Sequence, residues 1–419
     1  MTSKLALLFG SLVPSVFALS IPSRAASQFT TPSRVEVRPS SSLLSDWQQD
    51  GEPAQWAEGY PKVWGSEKVK YTQVKPHSRT LFGPGVVTPD DRFLVQMNDT
   101  NVQVIYLESN ITVIDFLQTS DAARVTTSSK GGYDLLISDW KVSANKSYVN
   151  ENYQYHLDSK GIPTGAPIKR AGGISSFDPD AIVFSQTDPY IYDLDDPKYK
   201  VVLSGHTDSV MSGAFSPNGK YVATAAWDGK GKLWHANNGS FIADFENTKA
   251  QNWVTRFSPN SKYLAIAAGP KYAKIHRLSD LTAPPVVIDG FTDWVRTLEW
   301  SPDGEYVAAG SWGQVQVYSL NENKIVQKWQ LADASRWEVD DVTWFEGGQR
   351  LAYRVQGALE LYDFETNLKY QWGPGPSDSF LNGFNIGGTF QLEREGWIGG
   401  FDWDHSVRFW EYPEVERRG

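Results

Sequence analysis

The sequence predicts an all-β chain built as a closed ring of repeats, and three observations point there. The first is a turn motif with a regular period: FSPNGKY at Phe215, FSPNSKY at Phe257, WSPDGEY at Trp300 and WFEGGQR at Trp344, at intervals of 42, 43 and 44 residues. A period of that length marks a repeat architecture. The second is alternation of apolar and polar residues over short runs, the pattern of half-buried strands. In KYVATAAWDGKGKLW, residues 221–225 read as one strand and 230–234 as the next. The third is turn chemistry: Pro-Asn-Gly at 217–219 suits a tight turn, since glycine tolerates the positive φ such turns often need. A single four-stranded unit cannot bury its own apolar faces. A ring of them can, and it leaves only short, protected sheet edges. The expected fold is a single β-propeller of four-stranded blades, eight preferred and seven the alternative.

The elements follow in chain order. Lys4 precedes an apolar run over 5–19, broken by Pro14, with small residues Ala18 and Ser20 behind it. This is the layout of a signal peptide over 1–20, and the run is short for a membrane span. Residues 21–61 are rich in Ser, Pro and Arg and read as a disordered leader or linker. No acidic residue precedes Glu36, while Arg24, Arg34 and Arg38 lie in the leader. A mitochondrial transit peptide is therefore the rival to secretion, and a cytoplasmic location is the other alternative. The propeller is expected over 62–413, followed by a tail at 414–419. Weaker copies of the turn begin at Val87, Ser128 and Phe177, and a last copy begins at Glu395, which gives eight units. The last unit lacks an outer strand after Trp410. The alternating stretch EKVKYTQVK at 67–75 is placed to supply it and close the ring.

Composition excludes several functions. The chain has 419 residues, a formal net charge of −10 and no cysteine. The acidic balance argues against nucleic acid or an anionic membrane as partner. Without cysteine there is no disulfide, thiolate metal site or cysteine nucleophile. The histidines, at 77, 156, 206, 235, 276 and 405, form no metal-spaced pair, so no metal and no cofactor are expected. No Walker loop, dinucleotide fingerprint or nucleophile elbow occurs. The acidic stretches at 193–197 and at Asp340–Asp341 read as solvated loops rather than a calcium site. Sequons at Asn98, Asn110, Asn145 and Asn238 are candidate N-glycosylation sites.

Gly205–His206, then FSPNG, then WDGKGKLW together resemble the WD-repeat β-propeller family. The likeness is strong over 201–345 and weak over 85–200 and 373–411. It implies a structural hydrogen-bonding set of His206, Asp228 and Trp234, with Ala226 standing where the family has Ser or Thr. One repeat further on, Phe291 replaces the histidine and Gly313 the turn aspartate. The resemblance also implies partner binding on one face of the ring.

Seventeen tryptophans are the most informative residues for function. Trp140, Trp227, Trp312 and Trp403 fall at or near the turn between second and third strands. Trp253, Trp294 and Trp337 fall shortly before first strands. Both places lie at the same end of an up-down-up-down blade, so the two sets should ring one face as ligand-binding candidates. Trp234, Trp300, Trp344 and Trp410 sit within strands and are expected to pack between blades. The expected function is a non-catalytic module binding a protein or a glycan in the secretory pathway. The alternative is an enzyme, a lyase, isomerase or hydrolase, acting on a small hydrophobic metabolite in the channel.

Overall fold

The structure is a computed structural model. It describes residues 5–8, 55–59, 62–63, 70–73, 85–97, 100–109, 111–118, 122–142, 148–170, 176–177, 183–184, 188–196, 198, 200–245, 250–269, 271–330, 339–355, 358–373, 389–392, 397–401 and 406–411. The protein is all-β, a propeller of four-stranded antiparallel blades. The blade over 210–245 shows the pattern: Val210–Phe215, Tyr221–Ala226, Gly231–His235 and Phe241–Phe245 pair in sequence order. The blades over 252–288 and 297–330 repeat it, and the first strands of successive blades pack against one another.

Burial explains why these runs become strands. Tyr221–Ala226 and Gln314–Ser319 are buried on nearly every residue, not on alternate ones. Blades stack face to face, so the middle strands are covered on both sides; only outer strands such as Phe241–Phe245 keep a wet face. Small residues let the faces approach. A Cβ on Gly231 would meet Ile266 Cδ1, on the next blade, at 2.4 Å. Indoles then tie the blades together, as their strand positions predict. Trp300 Nε1 donates to the Arg256 carbonyl at 3.1 Å and Trp344 Nε1 to the Glu299 carbonyl at 3.3 Å. Each bond reaches from one blade to the blade before it.

The recurrent turn works through its serine. Ser216 Oγ accepts from the Tyr221 amide at 2.9 Å and lies 2.8 Å from Asn218 Oδ1, which accepts from the Lys220 amide. Ser258 with Asn260 and Ser301 with Asp303 repeat this geometry. Neighbouring turns also touch, the Asn218 amide donating to Ser261 Oγ at 3.0 Å.

Among the described residues six separate sheets are four-stranded, not the eight, or seven, expected from the period. Two repeats make the difference. The repeat over 339–373 has its four antiparallel strands, but Gln55–Trp56 of the leader and Lys62–Val63, at the expected start of the propeller, join them in a six-stranded sheet. The third repeat is split. Ser176–Phe177 pairs with Val183–Phe184, while Tyr190–Asp193 pairs with Lys200–Val202 on one side and with Leu5–Leu8 on the other. The amino-terminal segments of the chain thus contribute strands where the sequence suggests only a signal and a disordered leader. Ring closure follows the alternation at 67–75: Lys70–Gln73 pairs antiparallel with Ser406–Glu411, with Gln73 opposite Ser406.

Candidate binding face

Start of first strand and end of second strand lie side by side, with Val210 opposite Ala226, Asn252 opposite Ala268 and Thr297 opposite Gly310. Lead-in loops and second-to-third turns therefore share one face. In the 210–245 blade that face is pinned by a buried polar chain. His206 Nδ1 lies 2.9 Å from Asp228 Oδ2, and His206 Nε2 lies 2.7 Å from Thr224 Oγ1, which accepts from Trp234 Nε1 at 3.0 Å. A carboxylate only accepts, so Nδ1 donates to Asp228. Asp228 also accepts from the Thr207 amide at 3.0 Å and from the Lys230 amide at 2.9 Å. Burial pushes its carboxyl up, but the hydrogen bond and charge interaction with His206 and the two amide bonds outweigh that and hold it below 3.8.

The expected set of His206, Asp228 and Trp234 is thus assembled, with one correction. The hydroxyl expected to be missing at Ala226 is present two residues earlier, at Thr224. Side chains on a strand alternate, so Thr224 shares a face with the residues cross-strand from Trp234, and Ala226 ends the strand at the turn.

The blade over 297–330 reaches the same end by other means. Phe291, in the histidine's place, is buried in an apolar cluster with Val295, Leu298, Trp300 and Tyr318. Gln314 takes over from the missing aspartate: its Oε1 accepts from the Thr292 amide at 3.1 Å and its Nε2 donates to the Gly290 carbonyl at 3.3 Å. The sequence showed the losses at Phe291 and Gly313 but not this replacement, because the turn at Trp312–Gly313 is shorter than that at 227–230 and shifts the frame by one residue.

Four of the tryptophan candidates have described side chains, and all four are half-buried. Three form a row over three blades. Trp227 and Trp253 meet edge to face with centroids 5.3 Å apart, and Trp253 lies 6.2 Å from Trp294. Arg296 completes the row, its guanidinium carbon 3.7 Å from the Trp253 centroid and 4.9 Å from that of Trp294. Trp253 is the extra residue of a β-bulge between Asn252 and Val254, and bulges re-aim side chains. Trp312 joins the face through its backbone, accepting from Thr292 Oγ1 at 3.4 Å. Arg296 was not legible in the sequence, since nothing marks a lone arginine two residues after Trp294.

The remaining candidates are less well placed. Trp140 lies near its turn rather than in it: it sits inside Tyr133–Val142, two residues before the strand ends, opposite Asn150 of Tyr148–Leu157. This hairpin has ten residues per strand, so counting from the turn glycine stops short of its end. Trp337 and Trp403 lie outside the described residues. So do Asn98, Asn110 and Asn145, whereas Asn238 is exposed in the turn before Phe241–Phe245, its Oδ1 accepting from the Ser240 amide at 2.9 Å. Asp193 accepts from the amides of Asp195 and Asp196 within its own turn. Among the described residues no three His, Asp or Glu side chains are grouped to hold a metal, and no helix is long and apolar enough to cross a membrane.

Two segments, 197–235 and 283–319, match the family model described as WD domain, G-beta repeat. These segments are WD40 repeats. The first contains the His206–Asp228–Thr224–Trp234 chain, and the second contains Phe291 and Gln314. The match therefore spans both an intact and a substituted version of the same loop anchor. The propeller fits a WD-repeat propeller family. No curated protein matches the chain.

Proposed function

We propose that this WD40 propeller is a non-catalytic protein-binding module whose working surface is the face carrying Trp227, Trp253, Trp294 and Trp312. The observation that carries this reading is the row of half-buried indoles crossing three blades with Arg296 packed against it. Tryptophan and arginine are the residues most enriched at interface hot spots, and lead-in loops anchored by buried hydrogen bonds present them with little freedom to lose on binding. A protein suits the surface better than a glycan. Sugar stacking needs an open indole face, and the Arg296 guanidinium lies over that of Trp253.

The leader supports export, and we propose that the mature protein is secreted, cleaved near 18–20 and glycosylated at sequons that include the exposed Asn238. Cleavage would remove Leu5–Leu8 from Tyr190–Asp193 and leave that edge to the third repeat's own strand, Val183–Phe184. On that reading the mature ring has eight blades.

The test is affinity capture from the protein's own extracellular milieu with immobilised wild-type chain, Trp294→Ala and Trp312→Ala. A protein held by wild type and lost by both variants, with their melting unchanged, is the expected result. Equal retention by all three ends the proposal for this face. Amino-terminal sequencing and a glycosidase mobility shift test the export reading separately.

A further inference from the structure

Neighbouring blades meet through apolar clusters. Val95, Val104, Leu135 and Ile137 belong to the one that joins the first two blades, and Ile275, Ile288, Leu298 and Trp300 to the one that joins the blades over 252–288 and 297–330. Side chains alternate along a strand, so the second blade spends one face of Tyr133–Val142 and Tyr148–Leu157 on the first cluster. Its other face differs. Leu136 apart, it carries Asp134, Asn152, Gln154, His156 and Arg170, and all of these except His156 are no more than 3% exposed. The third repeat's turn at 193–196 docks on this face through polar groups. Gln154 Nε2 donates to the Leu194 carbonyl at 2.9 Å, and Arg170 donates to the carbonyls of Leu194 and Asp196 at 3.2 Å and 3.4 Å. Ser129 Oγ donates to the Asp195 carboxylate at 2.7 Å, and Lys130 Nζ lies 3.6 Å from it. On its far side the same repeat packs by apolar contact, Ile191 and Leu203 against Val222 and Trp234. The seam between the second blade and the third repeat thus depends on hydrogen bonds where the neighbouring seams depend on apolar burial.

That network has an incomplete joint. Asp134 Oδ1 accepts from Gln154 Nε2 at 3.1 Å, but Oδ2 is buried with no hydrogen-bond partner among the described residues. His156 stands directly opposite Asp134 on the paired strand, its Nδ1 3.5 Å from Asp134 Oδ1 and likewise buried without a partner among the described residues. A neutral imidazole at that distance makes a weak contact. An imidazolium makes a charge-assisted bond and relieves a buried carboxylate that is short of partners. Histidine is the side chain whose ordinary charge change falls between pH 5 and 8. The charged groups around His156 are Asp134 on the paired strand, Asp158 and Lys160 in the turn that follows it, Arg170 reached through Gln154, and Lys130, Asp193, Asp195 and Asp196 at the seam. The Ile162 and Lys160 amides hold the Asp158 carboxyl below its ordinary value, so it stays an anion near the imidazolium. We propose that His156 is a proton-operated clasp: protonated, it closes on Asp134, fixes Gln154 against the Leu194 carbonyl and tightens the seam between the second blade and the third repeat. The closed form needs the imidazolium, so the seam is tightest at mildly acid pH and loosens as the pH rises and His156 gives up its proton.

The test is hydrogen exchange read by mass spectrometry on the full chain at about pH 5.5 and about pH 7.5, on either side of histidine's ordinary titration, with rates corrected for the intrinsic pH dependence of exchange. The segment 190–203 reports on the seam, and Tyr263–Ala268, two blades away, reports whether the ring is intact. In wild type the protection of 190–203 should be about fivefold greater at the lower pH, the size of change that one charge-assisted bond supplies. His156→Gln and Asp134→Asn should each give equal protection at the two pH values. Asp134→Asn keeps an oxygen for Gln154 and removes only the charge, so loss of the pH response in both variants separates the clasp from damage to packing. If Asp134→Asn does not keep the ring, His156→Gln, at a side chain 28% exposed, decides alone. Equal protection of wild type at the two pH values, or a rise that survives in a folded variant, overturns the proposal.

Discussion

At the scale of single residues, Thr224 has the most to say about what a sequence reveals. Its hydroxyl is the hinge between His206 and Trp234, and Thr224→Val keeps the shape while removing both bonds. Leaving His206 Nε2 and Trp234 Nε1 buried without their partner should cost about 1–3 kcal/mol, read by chemical denaturation. Trp234→Ala should cost about 3–5 kcal/mol, through the cavity it leaves. Trp312→Ala, in a turn at the half-buried face, should stay near 0.5 kcal/mol, as surface changes do. If Trp312→Ala melts as early as Trp234→Ala, its ring is core and the proposed face shrinks to the Trp227–Trp294 row. Asp228 adds a pH dependence. Its folded pKa lies below 3.8, so its bonds stabilise the fold fully above about pH 4, the unfolded range for Asp. That contribution fades as pH falls through the depressed folded value. Wild type should therefore lose more stability than Asp228→Asn between pH 4 and 2, seen as a steeper fall in Tm. The motif residues His206, Asp228 and Trp234 were legible because each has a distinctive type at a familiar spacing. Thr224 and Gln314 were not, because their roles depend on strand alternation and turn length.

At the scale of elements, the turns were the legible part and the strands less so. The Ser-Pro-Asn/Asp run announces its own hydrogen bonds, and Ser258→Ala, which removes the acceptor for the Tyr263 amide, should cost about 1 kcal/mol. Alternation, by contrast, describes only strands with one wet face. The second and third strands are covered by neighbouring blades, and what marks the second strands is small residues, as in YVATAA and YVAAGS. Gly310 is the sharpest case: a Cβ there would meet Thr297 Cγ2 at 2.5 Å and, on the next blade, Val339 Cγ1 at 2.7 Å. Gly310→Ala should therefore cost about 1–3 kcal/mol through overpacking, measured by thermal melting. An unchanged melt would mean that the blades there are free to separate. The long hairpin over 133–157 shows the limit of spacing rules. Trp140 was placed by counting a length that holds for six-residue second strands, and this one has ten.

At the scale of the whole molecule, the period was legible from Phe215 to Trp344 and weaker on either side, and the repeat number does not map simply onto sheets. A period counts turn motifs. It does not register that amino-terminal segments insert beside two of the repeats, Gln55–Trp56 at Leu368–Gly373 and Leu5–Leu8 at Tyr190–Asp193. The closing strand Lys70–Gln73 was readable because it alternates and because the last unit was visibly short of a strand. Its pairing with Ser406–Glu411 has a test of its own. In an antiparallel pair every second residue turns its amide toward the partner, so Tyr71→Pro with Thr72→Pro removes at least one donor whichever register face is used. Earlier melting with lost cooperativity is the expected outcome, and a melt like that of wild type would show that the ring does not need this strand.

That same pairing sets a clock on biogenesis. Gln73 and its partner Ser406 are about 330 residues apart, and ribosomes add about 5–20 residues each second. The closing strand therefore emerges tens of seconds before the residues that will receive it. During that interval the nascent chain carries an exposed strand with no mate, alongside blades that are already folding. Closure waits until Ser406–Glu411 has emerged, and a chain released before that strand is made is an open ring with two complementary edges facing its neighbours.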